Sequence, residues 1–144
     1  MRMTVEFVGY EDLFYFVSLA LSQDNDIIQL FDKKAGVETV KDCVDSVCDK
    51  IRKNYPQAKF RGVYLDNKPA GYYLHDEGSL ISFGISPIYR NKEVTSKFFD
   101  TIKGELGNEF SCMLYSHNTR AIKWLEKQGM VKVFDNVTIL QSCQ

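Results

Sequence analysis

The sequence predicts an α/β fold: a mixed β-sheet with helices on both of its faces. Three observations lead there. At mid-chain, apolar runs at residues 60–65, 70–75 and 80–85 are separated by the turns Asp66-Asn67-Lys68-Pro69 and His75-Asp76-Glu77-Gly78, the pattern of an antiparallel meander. Two helical stripes precede that meander. After it come a helix, a strand, a helix and a hairpin, an order that builds a layered sheet.

Each element follows from its local pattern. Thr4-Val5-Glu6-Phe7-Val8 alternates and reads as a first strand that ends at Gly9. Glu11 and Asp12 open a helix that carries Leu13, Phe16, Val17, Ala20 and Leu21 at helical spacing. Asp24-Asn25-Asp26 breaks it, and Ile27-Ile28-Gln29-Leu30-Phe31 is an apolar run without an assignable structure. The clearest helix repeats Val37, Val40, Val44, Val47 and Ile51 in steps of three and four, and ends at Asn54-Tyr55-Pro56. Valine has modest helix propensity, so packing must hold this helix. Past the meander, Val94, Phe98, Ile102 and Leu106 line one helix face, with Phe99 beside them and Gly107-Asn108 as the stop. Residues 110–115 read as a strand. Asn118 or Thr119 caps a last helix that buries Ala121, Ile122, Trp124 and Leu125 and ends at Gly129. Residues 130–134 and 137–140 then form a closing hairpin around Asp135-Asn136.

Composition narrows the function. A chain of 144 residues suits a single domain, 1–144, with one core. A formal net charge of −1 and the lack of a long basic run argue against nucleic acid as the partner. No apolar stretch is long enough to span a bilayer, and the first residues read as a strand rather than a signal peptide. Cys43, Cys48, Cys112 and Cys143 form no Cys-x-x-Cys pair, and the two histidines lie far apart, so no metal site is expected. Free buried thiols suit a reducing compartment, which places the chain in a cytoplasm.

The most informative stretch runs from Ile85 to Ser96, Ile-Ser-Pro-Ile-Tyr-Arg-Asn-Lys-Glu-Val-Thr-Ser. It joins an apolar strand to an amphipathic helix through a short basic turn. A helix that starts this way points unpaired N–H groups and the positive end of its dipole into the turn, where a phosphate can sit. A second signature follows one helix and one strand later, Asn118-Thr119-Arg120-Ala121-Ile122-Lys123-Trp124-Leu125-Glu126-Lys127-Gln128-Gly129-Met130.

Together these two stretches resemble the halves of the coenzyme-A site in the GNAT family of N-acyltransferases. In the first, Ile85, Pro87, Tyr89, Arg90 and Val94 match the family's strand–turn–helix pattern; in the second, Asn118, Ala121, Ile122, Trp124, Leu125, Glu126, Gly129 and Met130 match in register. The resemblance in residues covers roughly Phe60 to Phe134. It implies a GNAT-like, mostly antiparallel central sheet in which the strand at 80–85 diverges from the strand at 110–115. Acetyl-CoA would lie in the resulting cleft. Ile85 would pair with the pantetheine arm, and the amides of Arg90, Asn91, Lys92, Glu93, Val94 and Thr95 would wrap the pyrophosphate. Asn118 would lie near the thioester. The family transfers the acyl group directly to an amine, which enters over the turns near Glu77 and the early helices. A base takes the amine proton and an acid meets the thiolate. His117 is the candidate base at the thioester and Tyr115 a candidate acid, with His75 and Glu77 as further candidate bases.

The chain departs from the family at the phosphate turn and at the acid. Asn91 and Glu93 stand where the family has glycines, and Thr95 replaces a third small residue. Asn tolerates unusual backbone angles. A carboxylate about 4 Å from a phosphate would cost on the order of 4 kcal/mol at an effective dielectric near 20. The usual acid tyrosine is Leu125. Two readings follow. One is an N-acetyltransferase acting on a primary amine of a small molecule or a protein. The other is a GNAT-like binding or structural protein without catalysis, of a kind found in bacteriophages and their virions, acting as a homodimer or within a larger assembly. The plainer readings of single residues also stand: Asn118 as a helix cap, Trp124 as core, and Tyr64, Tyr72 and Tyr73 as cross-strand packing.

Overall fold

Among the described residues the sheet has seven strands in the order β1-β2-β3-β4-β5-β7-β6. A computed structural model describes residues 1–21, 39–115, 118–134 and 137–142, with side chains at 1–21, 39–114 and 118–131. The break at Asp24–Asp26, the run at 27–31, Val37, His117, the turn Asp135-Asn136 and Cys143 lie outside the described residues. The strands are β1 (Met3–Phe7), β2 (Lys59–Leu65), β3 (Lys68–Asp76), β4 (Ser79–Ile85), β5 (Ser111–Tyr115), β6 (Met130–Phe134) and β7 (Val137–Ser142). The helices are α1 (Leu13–Leu21), α2 (Val40–Asn54), α3 (Lys92–Leu106) and α4 (Thr119–Lys127). Every strand pair is antiparallel except β4 with β5.

The meander is built by two-residue turns. Asp66 and Asn67 both take positive φ, as do Glu77 and Gly78, which is the twist-matched geometry that tight hairpins need. Lys68 and Pro69 therefore belong to β3 rather than to the turn. Glu11 and Asp12 form a 3-10 turn with Tyr10, and the α-helix proper begins at Leu13. Helix α2 begins at Val40 because Thr39 and Asp42 close a reciprocal capping box. Thr39 Oγ1 accepts from the Asp42 amide at 3.1 Å, and Asp42 Oδ2 from the Thr39 amide at 3.0 Å.

The alternation along β2 and β3 sorts the core into two halves. Phe60, Tyr72 and Leu74 face α1 and α2, where they meet Leu13, Phe16, Val17, Ala20, Val44, Cys48 and Ile51. Val63, Leu65, Tyr73, Leu80 and Ile85 face α3 and α4, against Val94, Phe98, Phe99, Ile102 and Leu125. The tyrosines therefore split, Tyr72 to one face and Tyr73 to the other. Helix α1 sits close because Gly62 and Gly84 lie beneath it. A Cβ on Gly84 would stand 2.7 Å from the Ala20 Cβ, and one on Gly62 2.7 Å from the Phe16 ring. No helix among the described residues is long and apolar enough to cross a membrane.

At the C-terminal end of α3, one carboxylate ties helix to sheet. Glu105 accepts from Arg61 Nε at 3.0 Å, from Tyr73 Oη at 2.6 Å and from His75 Nε2 at 2.6 Å. Arg61 in turn lies 3.8 Å over the Phe7 ring on the edge strand. Burial works to raise the Glu105 pKa, but the hydrogen bonds from Arg61, Tyr73 and His75 outweigh it and hold the carboxyl at about 2. Because that lies below the ordinary value of 4.5, the stabilisation is complete above the ordinary value and fades as pH falls through the folded one. Glu105→Gln is expected to cost about 1.5 kcal/mol at neutral pH, the scale of charged hydrogen bonds discounted for partial exposure. Urea midpoints of parent and variant should differ at pH 7 and converge as pH falls from about 4.5 towards 2, the window set by the depressed carboxyl.

Candidate active site

The parallel ladder between β4 and β5 holds for two residue pairs, Ser79 with Ser111 and Leu80 with Cys112. Beyond them the strands part. β4 stays in register with β3 as far as Ile85, and β5 stays with β7 as far as Tyr115. Each strand follows its own antiparallel neighbour, and β4 carries a register shift opposite Leu74 and His75 that adds local twist. The facing edges beyond Leu80 and Cys112 thus have no strand partner among the described residues, and such edges bond extended ligands.

A cavity of about 310 Å³ fills the gap. Phe83, Ile85 and Phe98 approach it from the α3 and α4 face, Leu21, Val47 and Tyr72 from the α1 and α2 face. It therefore communicates with both sides of the sheet. Its size is that of a small-molecule site. Trp124 stacks on Phe98 with ring centroids 5.9 Å apart and leans on Phe83 at 5.4 Å, so it lines the gap without closing it. Its Nε1–H is buried with no acceptor among the described residues.

The basic turn joins β4 to α3 through a 3-10 segment, Pro87–Tyr89. Four of its amides already have protein acceptors. Arg90 N donates to Pro87 O, Asn91 N to Tyr89 O and Thr95 N to Asn91 O. Val94 N donates to Asn91 Oδ1 at 3.0 Å. The amides of Lys92 and Glu93 have no acceptor among the described residues, and they open α3 where its dipole is positive. Asn91 has an extended backbone, with φ at −111°, so it serves as a helix cap rather than as a stand-in for glycine. Thr95 lines the cavity while its Oγ1 donates back to Asn91 O at 3.0 Å. Glu93 faces outward: its side chain is 70% exposed and lies 3.6 Å from Lys97 Nζ.

Arg90 bridges the two halves of the core. Its Nε donates to Ile85 O and its Nη2 to Ala20 O, both at 2.9 Å. It fixes the end of β4 to the last turn of α1 while lining the cavity. Asn118 also lines the cavity, and it caps α4 through a long 3.4 Å bond from the Ala121 amide to its Oδ1. Cap and cavity roles coincide, because Oδ1 takes the amide and leaves the side-chain NH2 as a donor. Tyr115 ends β5 beside the gap; its backbone alone is described. His75 is bound to Glu105, and Glu77 sits in the turn at the zipped end of β4, so neither lines the cavity. Leu125, in the place of the family tyrosine, is fully buried.

Sequence reading missed Leu21, Val47 and Leu114 as cavity walls, since their spacing reads only as core. It also missed the pairing of Tyr72 Oη with Ser82 Oγ, 2.8 Å apart. From sequence, the small residues Ser82 and Gly84 in an apolar strand read as room for substrate or as packing beneath a helix; both line the cavity, and Gly84 also lies under α1. The described thiols are inert. Burial pushes Cys112 up to about 12 and raises Cys43 and Cys48 as well, so none is a thiolate at neutral pH.

No protein-family model and no curated protein matches the chain. Solved structures do. The PaiA N-acetyltransferase of Thermoplasma acidophilum, in complex with coenzyme A, is 13% identical over 100% of both chains with a TM-score of 0.65. A GNAT-family acetyltransferase of Streptococcus agalactiae is 17% identical over 99% of this chain and 95% of its own, with a TM-score of 0.66. The spermidine N-acetyltransferase of Vibrio cholerae, in complex with CoA and spermine, is 12% identical over 97% of this chain and 93% of its own, with a TM-score of 0.59. The chain therefore has the GNAT fold, with the mixed sheet that its element order predicts.

Arg90→Met removes two charge-assisted bonds and leaves the carbonyls of Ile85 and Ala20 without them. The expected loss is about 2 kcal/mol. A thermal melt should show it as a fall of roughly 6 °C.

Proposed function

We propose that the chain is an N-acetyltransferase that moves an acetyl group from acetyl-CoA to a primary amine by direct transfer. The observation that carries this reading is the early end of the β4–β5 ladder, which opens a cavity reaching both faces of the sheet. Donor and acceptor can then meet from opposite sides.

Acetyl-CoA supplies an acyl carbonyl already activated as a thioester. The residues present fit it. The unpaired edge of β4 up to Ile85 offers strand-like bonds to an extended amide arm. The amides of Lys92 and Glu93, the α3 dipole and the Lys92 charge suit a diphosphate. Arg90 serves this role by holding the turn in place, and Asn91, Val94 and Thr95 shape its backbone. The Asn118 side-chain NH2 can orient a carbonyl in the cavity. The aromatic wall of Phe83, Phe98 and Trp124 keeps water from the reacting centre. Transfer also needs a base for the amine proton and an acid for the departing thiol, and we assign these to His117 and Tyr115. The protonated state of the described thiols agrees with transfer that forms no acyl-cysteine. A cytoplasm, where thiols stay reduced, is the compartment this reading implies.

One observation favours a second reading, a catalytically silent binding protein, including one carried in a virion. Four of the six turn amides already have protein acceptors, and Glu93 adds a negative charge there.

Calorimetry tests the transferase reading at its first step. Acetyl-CoA is expected to bind with measurable heat and to raise the melting temperature; neither effect at millimolar ligand would remove the transferase reading. Glu93→Gln should tighten that binding by up to about threefold, because it deletes a like charge, though a solvent-facing one, from the first turn of α3. Asn118→Ala should lower kcat at least tenfold in an assay of released thiol, while costing about 1 kcal/mol of stability as a lost cap.

A further inference from the structure

Ser82 reaches the cavity through an irregularity in β4. Leu80 stands opposite His75 and faces α3 and α4, and strict alternation would send Ser82 the same way. The register shift inserts Ile81 as an extra residue, so Ser82 pairs with Leu74 on the face of α1 and α2. A bulge of this kind re-aims a side chain. Ser82 Oγ there meets the Tyr72 hydroxyl at 2.8 Å, just past Leu80, the last β4 residue paired with β5. Both side chains line the gap. We infer that Ser82, backed by Tyr72, donates its O–H to the acyl oxygen of the thioester during transfer, an assignment that rests on the acetyl-transfer reading.

Two hydroxyls joined by one bond spend one of their two protons on each other. A phenol is a stronger acid than an alcohol and so the better donor, which gives the Tyr72 proton to Ser82 Oγ. The Ser82 O–H stays available and is polarised by the bond behind it. Tyr72 is 2% exposed, and burial pushes its hydroxyl up to about 12, so it keeps its proton at neutral pH. Ser82 is only half-buried, at the cavity wall. Two acceptors meet in the gap during transfer, the amine nitrogen and the acyl oxygen. A hydrogen bond to the nitrogen lone pair would oppose attack. As that lone pair forms the C–N bond, the C=O π pair moves onto oxygen. It returns when the C–S bond breaks and sulfur leaves with the bonding pair. The amine proton goes to the base, and the acid supplies a proton to sulfur. The oxygen carries its charge only between those two events, and a donor already fixed beside it acts at that moment. Ser82 is then the catalytic donor, and Tyr72 a positioning residue that acts through it.

The carbonyl band of bound acetyl-CoA reads this bond without turnover. Acetyl-CoA with and without carbon-13 at the acyl carbonyl is added to the full chain in the absence of amine, and the infrared difference isolates the band. In the parent it is expected at lower frequency than in free solution. Ser82→Ala should return it towards the free position, and Tyr72→Phe should lose part of the shift. Ser82→Ala leaves the Tyr72 hydroxyl buried without its partner, so the double variant with Tyr72→Phe, which removes both hydroxyls, is measured alongside and should show the same loss. In turnover, Ser82→Ala should lower kcat by about tenfold or more and change the amine KM by less than about twofold. The double variant should be no slower than Ser82→Ala alone, because Tyr72 acts through Ser82. An unshifted band in the parent, or a shift that Ser82→Ala and the double variant both retain, would overturn the assignment and leave acetyl transfer standing. No bound band, with no heat from acetyl-CoA, would sink both.

Discussion

The parallel contact between β4 and β5 ends after Leu80 and Cys112, and the rest of the molecule is arranged around that end. A parallel pair is slightly weaker per residue than an antiparallel one. Each of these strands has an antiparallel neighbour that runs its full described length, so each keeps that neighbour when twist forces a choice. The sheet becomes two half-sheets hinged at one end. Gly84 lets α1 sit close over the β4 side of the gap, and Gly71 lets β3 and β4 approach each other closely. A Cβ on Gly71 would come within 2.3 Å of the Gly84 carbonyl oxygen.

The closed and open ends of the sheet differ in kind. At the closed end, Arg61, Tyr73 and His75 converge on one carboxylate, and the Ser79 and Ser111 hydroxyls lie 3.2 Å apart across the short ladder. The bonds to Glu105 lock α3 to the meander, and the serine pair ties β4 to β5. At the open end, the polar side chains of the described lining are Arg90, Thr95, Asn118, Arg120 and the Tyr72–Ser82 pair, set among apolar and aromatic walls. A rigid frame thus ends at a gap lined by few, oriented donors and acceptors, the usual division of labour in a ligand site.

The turn before α3 shows a competition between two uses of the same groups. A helix N-terminus can offer its amides to a ligand or cap them with its own side chains. Asn91 caps, and the Val94 amide goes to its side chain. A glycine there would have left that amide to a ligand. The turn therefore leaves the amides of Lys92 and Glu93 without an acceptor among the described residues, with the Glu93 side chain turned to solvent and paired with Lys97. Arg90 has likewise moved from charge donor to brace, because the carbonyls of Ile85 and Ala20 lie within its reach.

Local pattern made most of the fold legible. Apolar spacing placed the four described α-helices and the meander, since periodicity is a property of adjacent residues. Boundaries moved where capping or turn chemistry intervened, at Thr39, Lys68 and Leu13. The site was legible only as a set of positions. That Asn118, Thr95 and Arg90 line one cavity follows from the distance between two strands, and no spacing within either strand encodes it. The role of Asn91 as a cap depended on one backbone angle, and the brace made by Arg90 on a helix 70 residues away. By itself the chain's order of residues settled which of the described segments are helix and which are strand, because those choices are local. The gap and the partners of its polar groups arose when segments far apart in sequence were packed together, because burial, twist and hydrogen-bond competition act across the whole sheet.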